Sequence, residues 1–157
     1  QRSESVFLET WYEGLVKLDH NAVMNREFWQ TIMSVRAAVS KELEKSRAKG
    51  DMGSSLNAEI ELYCNPELFD TLNQLSGELH FIFITSNALV IADQFAPDDA
   101  IQTEFEGVKL KVIVSEHKKC VRCWHQRYDV GEHAAHPELC GRCEENVVGN
   151  GERRFYA

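Results

Sequence analysis

CVRCWHQRYDVGEHAAHPELCGRC, residues 120–143, is the stretch whose reading decides how the carboxyl end of this chain folds. Cys120 and Cys123 form one C-x2-C pair, and Cys140 and Cys143 form a second after a sixteen-residue spacer. Each C-x-x-C turn aims two thiolates at one point, and four thiolates at about 2.3 Å close a tetrahedral shell around Zn2+ with no position left for a substrate. One structural zinc is therefore the expected cofactor. Two rivals use the same ligand set: iron in a rubredoxin-like electron carrier, and metal-free redox thiols. His117, His125, His133 and His136 flank the quartet, but four sulfurs already fill a zinc shell, so they are read as loop residues. Cys64 stands apart, after an alternating apolar run and before Asn65-Pro66. A small buried thiol is expected there.

Moving outward, 157 residues with 43% hydrophobic and 27% charged side chains suit a soluble globular protein with one ordinary core and a small satellite. The longest apolar runs, Phe81–Ile84 and Ala88–Ala92, fall far short of the roughly 20 residues of a membrane span. No secretory signal opens the chain, so close C-x-x-C pairs fit metal binding in a reducing cytoplasm better than disulfides. The charge is uneven. Residues 1–115 hold 10 Lys+Arg against 18 Asp+Glu, while residues 116–157 hold 7 of each, so the whole net charge of −8 lies in the first part. An acidic body excludes a general nucleic-acid coat, because such binding depends on cations displacing counterions along phosphates. Any RNA contact must be local, and the tail is the better place for it.

Residues 1–25 read as an extended or loop lead-in without sustained periodicity, expected to pack against a surface either within this chain or beyond it. Asn25 is a candidate N-cap, and Phe28, Ile32, Val35, Val39 and Leu43 repeat at helical spacing, predicting a helix over 26–49 that ends before Gly50. Phe28, Trp29 and Met33 are expected in the core; Lys45, Arg47 and Lys49 should face solvent and complement the helix dipole. Leu56, Ala58, Ile60 and Leu62 alternate as a half-buried strand does. Pro66 opens a second helix, expected to continue to about Thr85, although Phe81–Ile84 is also a credible strand by residue type. Leu89–Ala92 and Val108–Val114 read as further strands, with a surface loop over 93–106. The fold class is thus α+β, helices packed on a short β-sheet over 26–115, followed by a small four-cysteine zinc-binding module and tail over 116–157.

These residues resemble one family, the carboxyl-terminal end of bacterial-type isoleucyl-tRNA synthetase. The resemblance rests on Ser5-Val6-Phe7 with Trp11, Val35-Arg36, Gly53-Ser54-Ser55-Leu56 and Ile84-Thr85-Ser86. It rests also on Cys120-x-Arg122-Cys123-Trp124, Leu139-Cys140-Gly141-Arg142-Cys143 and Gly149-x-Gly151-Glu152 with Arg154. It implies a parent enzyme that activates isoleucine with ATP and esterifies its tRNA. No His-Ile-Gly-His-like or Lys-Met-Ser-Lys-Ser-like segment and no phosphate-cradling Gly-rich loop occurs among the 157 residues, so this portion is expected to bind rather than catalyse. The expected partners are the anticodon arm of isoleucine tRNA and the rest of the synthetase chain, in a cytoplasmic monomer with no membrane contact.

Anticodon recognition needs splayed bases stacked on aromatic or guanidinium planes and phosphates gripped by cations. On this reading Trp124, Arg122 and Arg142 are candidate RNA contacts, with Lys118, Lys119, Arg127, Arg153 and Arg154 as candidate phosphate contacts. The competing expectations are that Trp124 covers the zinc and fills the module's small core, that Arg122 and Arg142 relieve thiolate charge, and that the remaining cations are merely solvated. The competing function is a zinc-stapled appendage that stabilises the synthetase without touching RNA. Asp98-Asp99 and Glu144-Glu145 lack matched partners, and no acid-base chemistry is assigned to them.

Overall fold

A computed structural model describes residues 5–8, 10–17, 19–75 and 77–156. Helix α1 runs Arg26–Lys49, as its periodicity and caps predict. The Asn25 side chain accepts from the Phe28 amide, and Gly50, at φ 85, closes the helix by donating to Arg47 and Ser46 carbonyls. Glycine takes that left-handed cap without strain. Ile32, Val35, Val39 and Leu43 are buried along one face. Met33 is not: it is 51% exposed, a correction, because it lies beside the stripe rather than on it. Trp29 is half-buried against the core and packs edge-on to Phe28. At the basic end, Lys45 reaches the buried carboxylate of Glu42 at 2.7 Å and Arg47 pairs with Glu44.

Leu56 belongs to a 3-10 turn, Ser55–Asn57, so strand β1 begins later than expected, at Ala58, and runs to Cys64. Helix α2 spans Pro66–Asn73, with Asn65 capping it through the Leu68 amide. The Asn65 amide also donates to the Gly107 carbonyl, and a Cβ at Gly107 would collide with the Asn65 side chain, so this junction of helix and strand requires glycine.

The expected single helix from Pro66 to about Thr85 is overturned. Chain direction changes between Asn73 and Leu79, where Gly77 takes φ 82, and a separate short helix α3 covers Leu79–Phe83; Ser76 lies outside the described residues. Leucines at i+3 and i+4 spacing continue across the break, and the stripe therefore hid it from a periodicity argument. Phe81–Phe83 is helical, settling that ambiguity, and Ile84 ends α3 at φ 56.

Strand β2 covers Asn87–Ala92, a 3-10 turn follows at Asp93–Phe95, and a two-residue strand β3, Ile101–Gln102, interrupts the stretch expected to be pure loop. Strand β4 is Val108–Val114. The sheet order is β2-β1-β4-β3, with β1 parallel to β2 and antiparallel to β4, and β3 antiparallel to β4. The parallel β1–β2 pair needs a crossover, and α2 with α3 supplies it. Helix α1 and the crossover helices bury Leu68, Leu72, Leu75, Leu79 and Phe83 against Ile60, Leu62 and Leu110. Arg36 on α1 donates to the Ile82 carbonyl at 2.8 Å, satisfying an otherwise orphan acceptor at the end of α3. Cys64 is fully buried, and desolvation pushes its thiol up to about 12, which makes it inert.

Within the lead-in, Val6–Leu8 forms a 3-10 turn, and Phe7, Leu8, Trp11, Tyr12, Leu15 and Val16 are exposed rather than packed on the rest of the chain. Gln1 to Glu4, Glu9 and Leu18 lie outside the described residues.

Candidate metal centre and nucleic-acid interface

The cysteine module is built from a hairpin and a helix. Lys119 and Gln126 bridge as antiparallel partners, and the Arg127 amide donates to Lys118 O, so the first C-x-x-C turn sits at the tip of a tight ribbon. Helix α4, Gly141–Val148, has Cys140 at its N-cap and Cys143 in its first turn. A helix N-terminus favours negative charge, which suits two thiolates. Asp129 accepts from the Gly141 amide at 2.8 Å, in the role of a capping carboxylate. His133 stands between two acids, its Nδ1 2.7 Å from Glu144 and its Nε2 3.8 Å from Asp129.

The four sulfurs lie within 4.8 Å of one another, and Cys123 Sγ is 3.7 Å from Cys140 Sγ. A tetrahedral shell at ~2.3 Å from zinc requires sulfurs about 3.8 Å apart, so the quartet fits zinc. Supporting donors are in place. The Cys140 amide reaches Cys120 Sγ at 3.4 Å, and Arg122 Nη1 reaches Cys143 Sγ at 3.6 Å. Without a cation the sulfurs cannot ionise independently: the hydrogen bond from Cys140 favours a thiolate at Cys123, and that bond together with burial holds Cys140 up. A divalent ion removes this conflict by taking all four as thiolates. None of the four flanking histidines joins the cluster.

The family model described as "Zinc finger found in FPG and IleRS" matches residues 118–146. Together with the converging sulfurs it identifies one structural zinc site. Over the whole chain, the isoleucine–tRNA ligase of Pseudomonas paraeruginosa (strain DSM 24068 / PA7) is 54% identical across 157 residues, covering 100% of this chain and 17% of that protein. The chain is similar throughout to isoleucine–tRNA ligases. The ligase of Methylococcus capsulatus (strain ATCC 33009 / NCIMB 11132 / Bath) is 52% identical over 156 residues, and that of Marinomonas sp. (strain MWYL1) 49% over 158. The chain spans 17% of the length of each of these ligases.

Trp124 corrects one expectation. It is 62% exposed and does not fill the module's core, which consists of Val130 and Leu139 packed with the cysteines. Its backbone takes φ 68 as the amide donates to Cys120 O at 2.9 Å. That conformation turns the chain sharply and leaves the indole facing outward, with Lys119 Nζ 5.7 Å from the ring centre.

The candidate cations divide. Lys118, Lys119, Arg122 and Arg153 are exposed, while Arg127 is half-buried near Asp129 and Tyr128. Arg142 and Arg154 both pair with Glu152, and their guanidiniums lie 5.0 and 3.8 Å from the centre of the Phe81 ring; Arg142 also meets the Cys123 sulfur, as its expected relief of thiolate charge requires.

Sequence reasoning missed the residues that seat the module on the sheet. Ser86, fully buried, donates its hydroxyl to Leu56 O and accepts the Gln126 amide at 2.6 Å. In the orientation that satisfies both ends of its amide, Gln126 donates to the Ser115 and His117 carbonyls and accepts from Asn57. His80, Phe81 and His125 form a ring cluster at the same seam. Burial chiefly, with help from Arg127, His125, Arg142 and Arg154, pulls the His80 pKa down to about 4, so its ring is neutral near pH 7.

Proposed function

We propose that this chain is the carboxyl-terminal RNA-docking portion of an isoleucine–tRNA ligase, and that its zinc module grips the anticodon arm of isoleucine tRNA. The observation that carries this reading is Trp124. After the second cysteine the turn demands a positive φ, a position where glycine costs least. Here it holds a bulky aromatic with its face open and a lysine beside it. Strain of ~1–3 kcal/mol at such a residue persists where function requires it. An exposed indole on a metal-fixed turn is a stacking platform for an unpaired base; Lys119 supplies a cation beside it, and Lys118, Arg122 and Arg153 are further exposed cations of the module and tail.

On this reading the joining of isoleucine to tRNA takes place elsewhere in the longer polypeptide, which acts in the cytoplasm as a monomer. The chain divides into a lead-in at 1–25, the α+β unit at 26–115 and the zinc module at 116–157, a division supported by two separate buried clusters. The open aromatic faces of Trp11 and Phe7 fit packing against the preceding part of the ligase.

The competing structural reading draws on Arg142 and Arg154, whose guanidiniums lie over Phe81 at the module's seat. Trp124→Ala separates the two. In the intact ligase with zinc retained, base stacking predicts a loss of ~1–3 kcal/mol, about five- to 150-fold in Kd for cognate tRNA. Unchanged affinity would favour the appendage.

A further inference from the structure

The segment after α4 leaves the zinc module and returns to the sheet-bearing part of the chain. Its first half is fixed to α4: the Asn150 amide donates to the Glu145 carboxylate at 2.8 Å, the Glu152 amide to Asn146 Oδ1 at 3.1 Å, and the Glu152 carboxylate pairs with Arg142. Its second half is fixed to α3. The Arg154 guanidinium lies 3.8 Å from the centre of the Phe81 ring, and the Phe155 and Tyr156 amides donate to the two carboxylate oxygens of Glu78 at 2.6 and 2.7 Å.

Glu78 is only 7% exposed. A carboxylate is costly to bury unless charge-assisted hydrogen bonds compensate, and two backbone amides of the tail supply them. Phe81 meets two guanidiniums, Arg142 from the module and Arg154 from the tail, and Glu152 pairs with both. The seam is therefore closed by a strap that begins on the helix carrying Cys140 and Cys143 and ends on the crossover between β1 and β2.

We infer that Glu78 and Phe81 are positioning residues for RNA binding: by clamping the tail they fix the angle at which the zinc module presents Trp124 and Lys119. Neither reaches the exposed ring of Trp124. Their effect passes through the tail and α4, and it rests on the proposed RNA-docking function.

The test compares Glu78→Gln and Phe81→Leu in the intact ligase polypeptide. Three quantities are read: zinc content, hydrogen exchange at the Phe155 and Tyr156 amides, and affinity for isoleucine tRNA over a range of salt. The expected result is retained zinc, faster exchange at both amides, and a Kd weakened about fivefold, within the range by which residues remote from a ligand modulate binding. The salt slope should stay unchanged, since neither residue meets a phosphate, whereas Lys119→Ala should reduce it by about 1. Phe81→Tyr, which keeps the aromatic face, should restore the affinity.

Faster tail exchange with unaltered affinity would overturn the positioning role. Undisturbed exchange in both variants would overturn the clamp itself. If Trp124→Ala and Lys119→Ala also leave affinity unchanged, the RNA reading fails and the positioning role falls with it, while the exchange data still report whether the strap exists.

Discussion

The sheet-bearing part and the zinc module solve the same problem with different means. In the former, among the described residues, seventeen side chains from α1, the crossover segment, the sheet and Met52 form one buried cluster. In the latter, among the described residues, Val130 and Leu139 are the only buried carbon side chains in a cluster otherwise made of cysteines. Two such side chains cannot offset the ordering of some thirty residues, so metal coordination must supply the difference. The contrast shows why the module can leave a tryptophan exposed: its fold does not depend on burying one.

The comparison breaks most visibly at a ligand. Cys143→Ser should abolish zinc binding and unfold the module, given apparent coordination energies of ~10–16 kcal/mol, while the sheet-bearing part keeps its cooperative melt. Differential hydrogen exchange over the two regions reads this directly. The mirror experiment is Leu72→Ala, which removes a fully buried side chain from the other cluster. It should lower global stability by ~2–5 kcal/mol by denaturant titration, with zinc stoichiometry unchanged.

A smaller effect is expected at Asp129, which caps α4 through the Gly141 amide. Asp129→Ala should weaken the zinc-bound module by ~1–3 kcal/mol, the worth of a hydrogen bond to a charged acceptor, measured by chelator competition. The last is silent at neutral pH and appears only on acidification. His80 falls from 6.5 to about 4 on folding, chiefly through desolvation, so the unfolded chain binds the extra proton in that interval. Its contribution is complete above pH 6.5 and is lost as pH drops toward 4. His80→Asn should flatten that part of the stability profile; an unchanged slope would assign the acid sensitivity elsewhere.

Much of this organisation was legible in the residues. Helix α1 combined an apolar stripe with a polar N-cap and a terminal glycine, three signals agreeing on the same ends. The cysteine quartet was legible because ligand spacing alone constrains geometry. The break between α2 and α3 was not, since leucine spacing ran through it, and neither was β3, whose two residues carry no period. Met33 was misplaced by being adjacent to the stripe, and of the two expectations for Trp124 the one that fails assumed that a small module must bury its largest side chain. The roles of Arg142 and Arg154 depend on Phe81, about sixty or seventy positions away, a pairing no local pattern encodes.

The most direct test of the division between metal-held and core-held regions is residue-resolved hydrogen exchange on the zinc-loaded chain before and after chelation, with metal content determined in parallel. One equivalent of zinc is predicted, and its removal should expose the amides of Val121, Val130, Leu139 and Glu144, which are hydrogen-bonded within or beside the module, while those of β1 and β4 stay protected. Protection of both regions surviving complete chelation, or a chain carrying no zinc at all, would contradict the account.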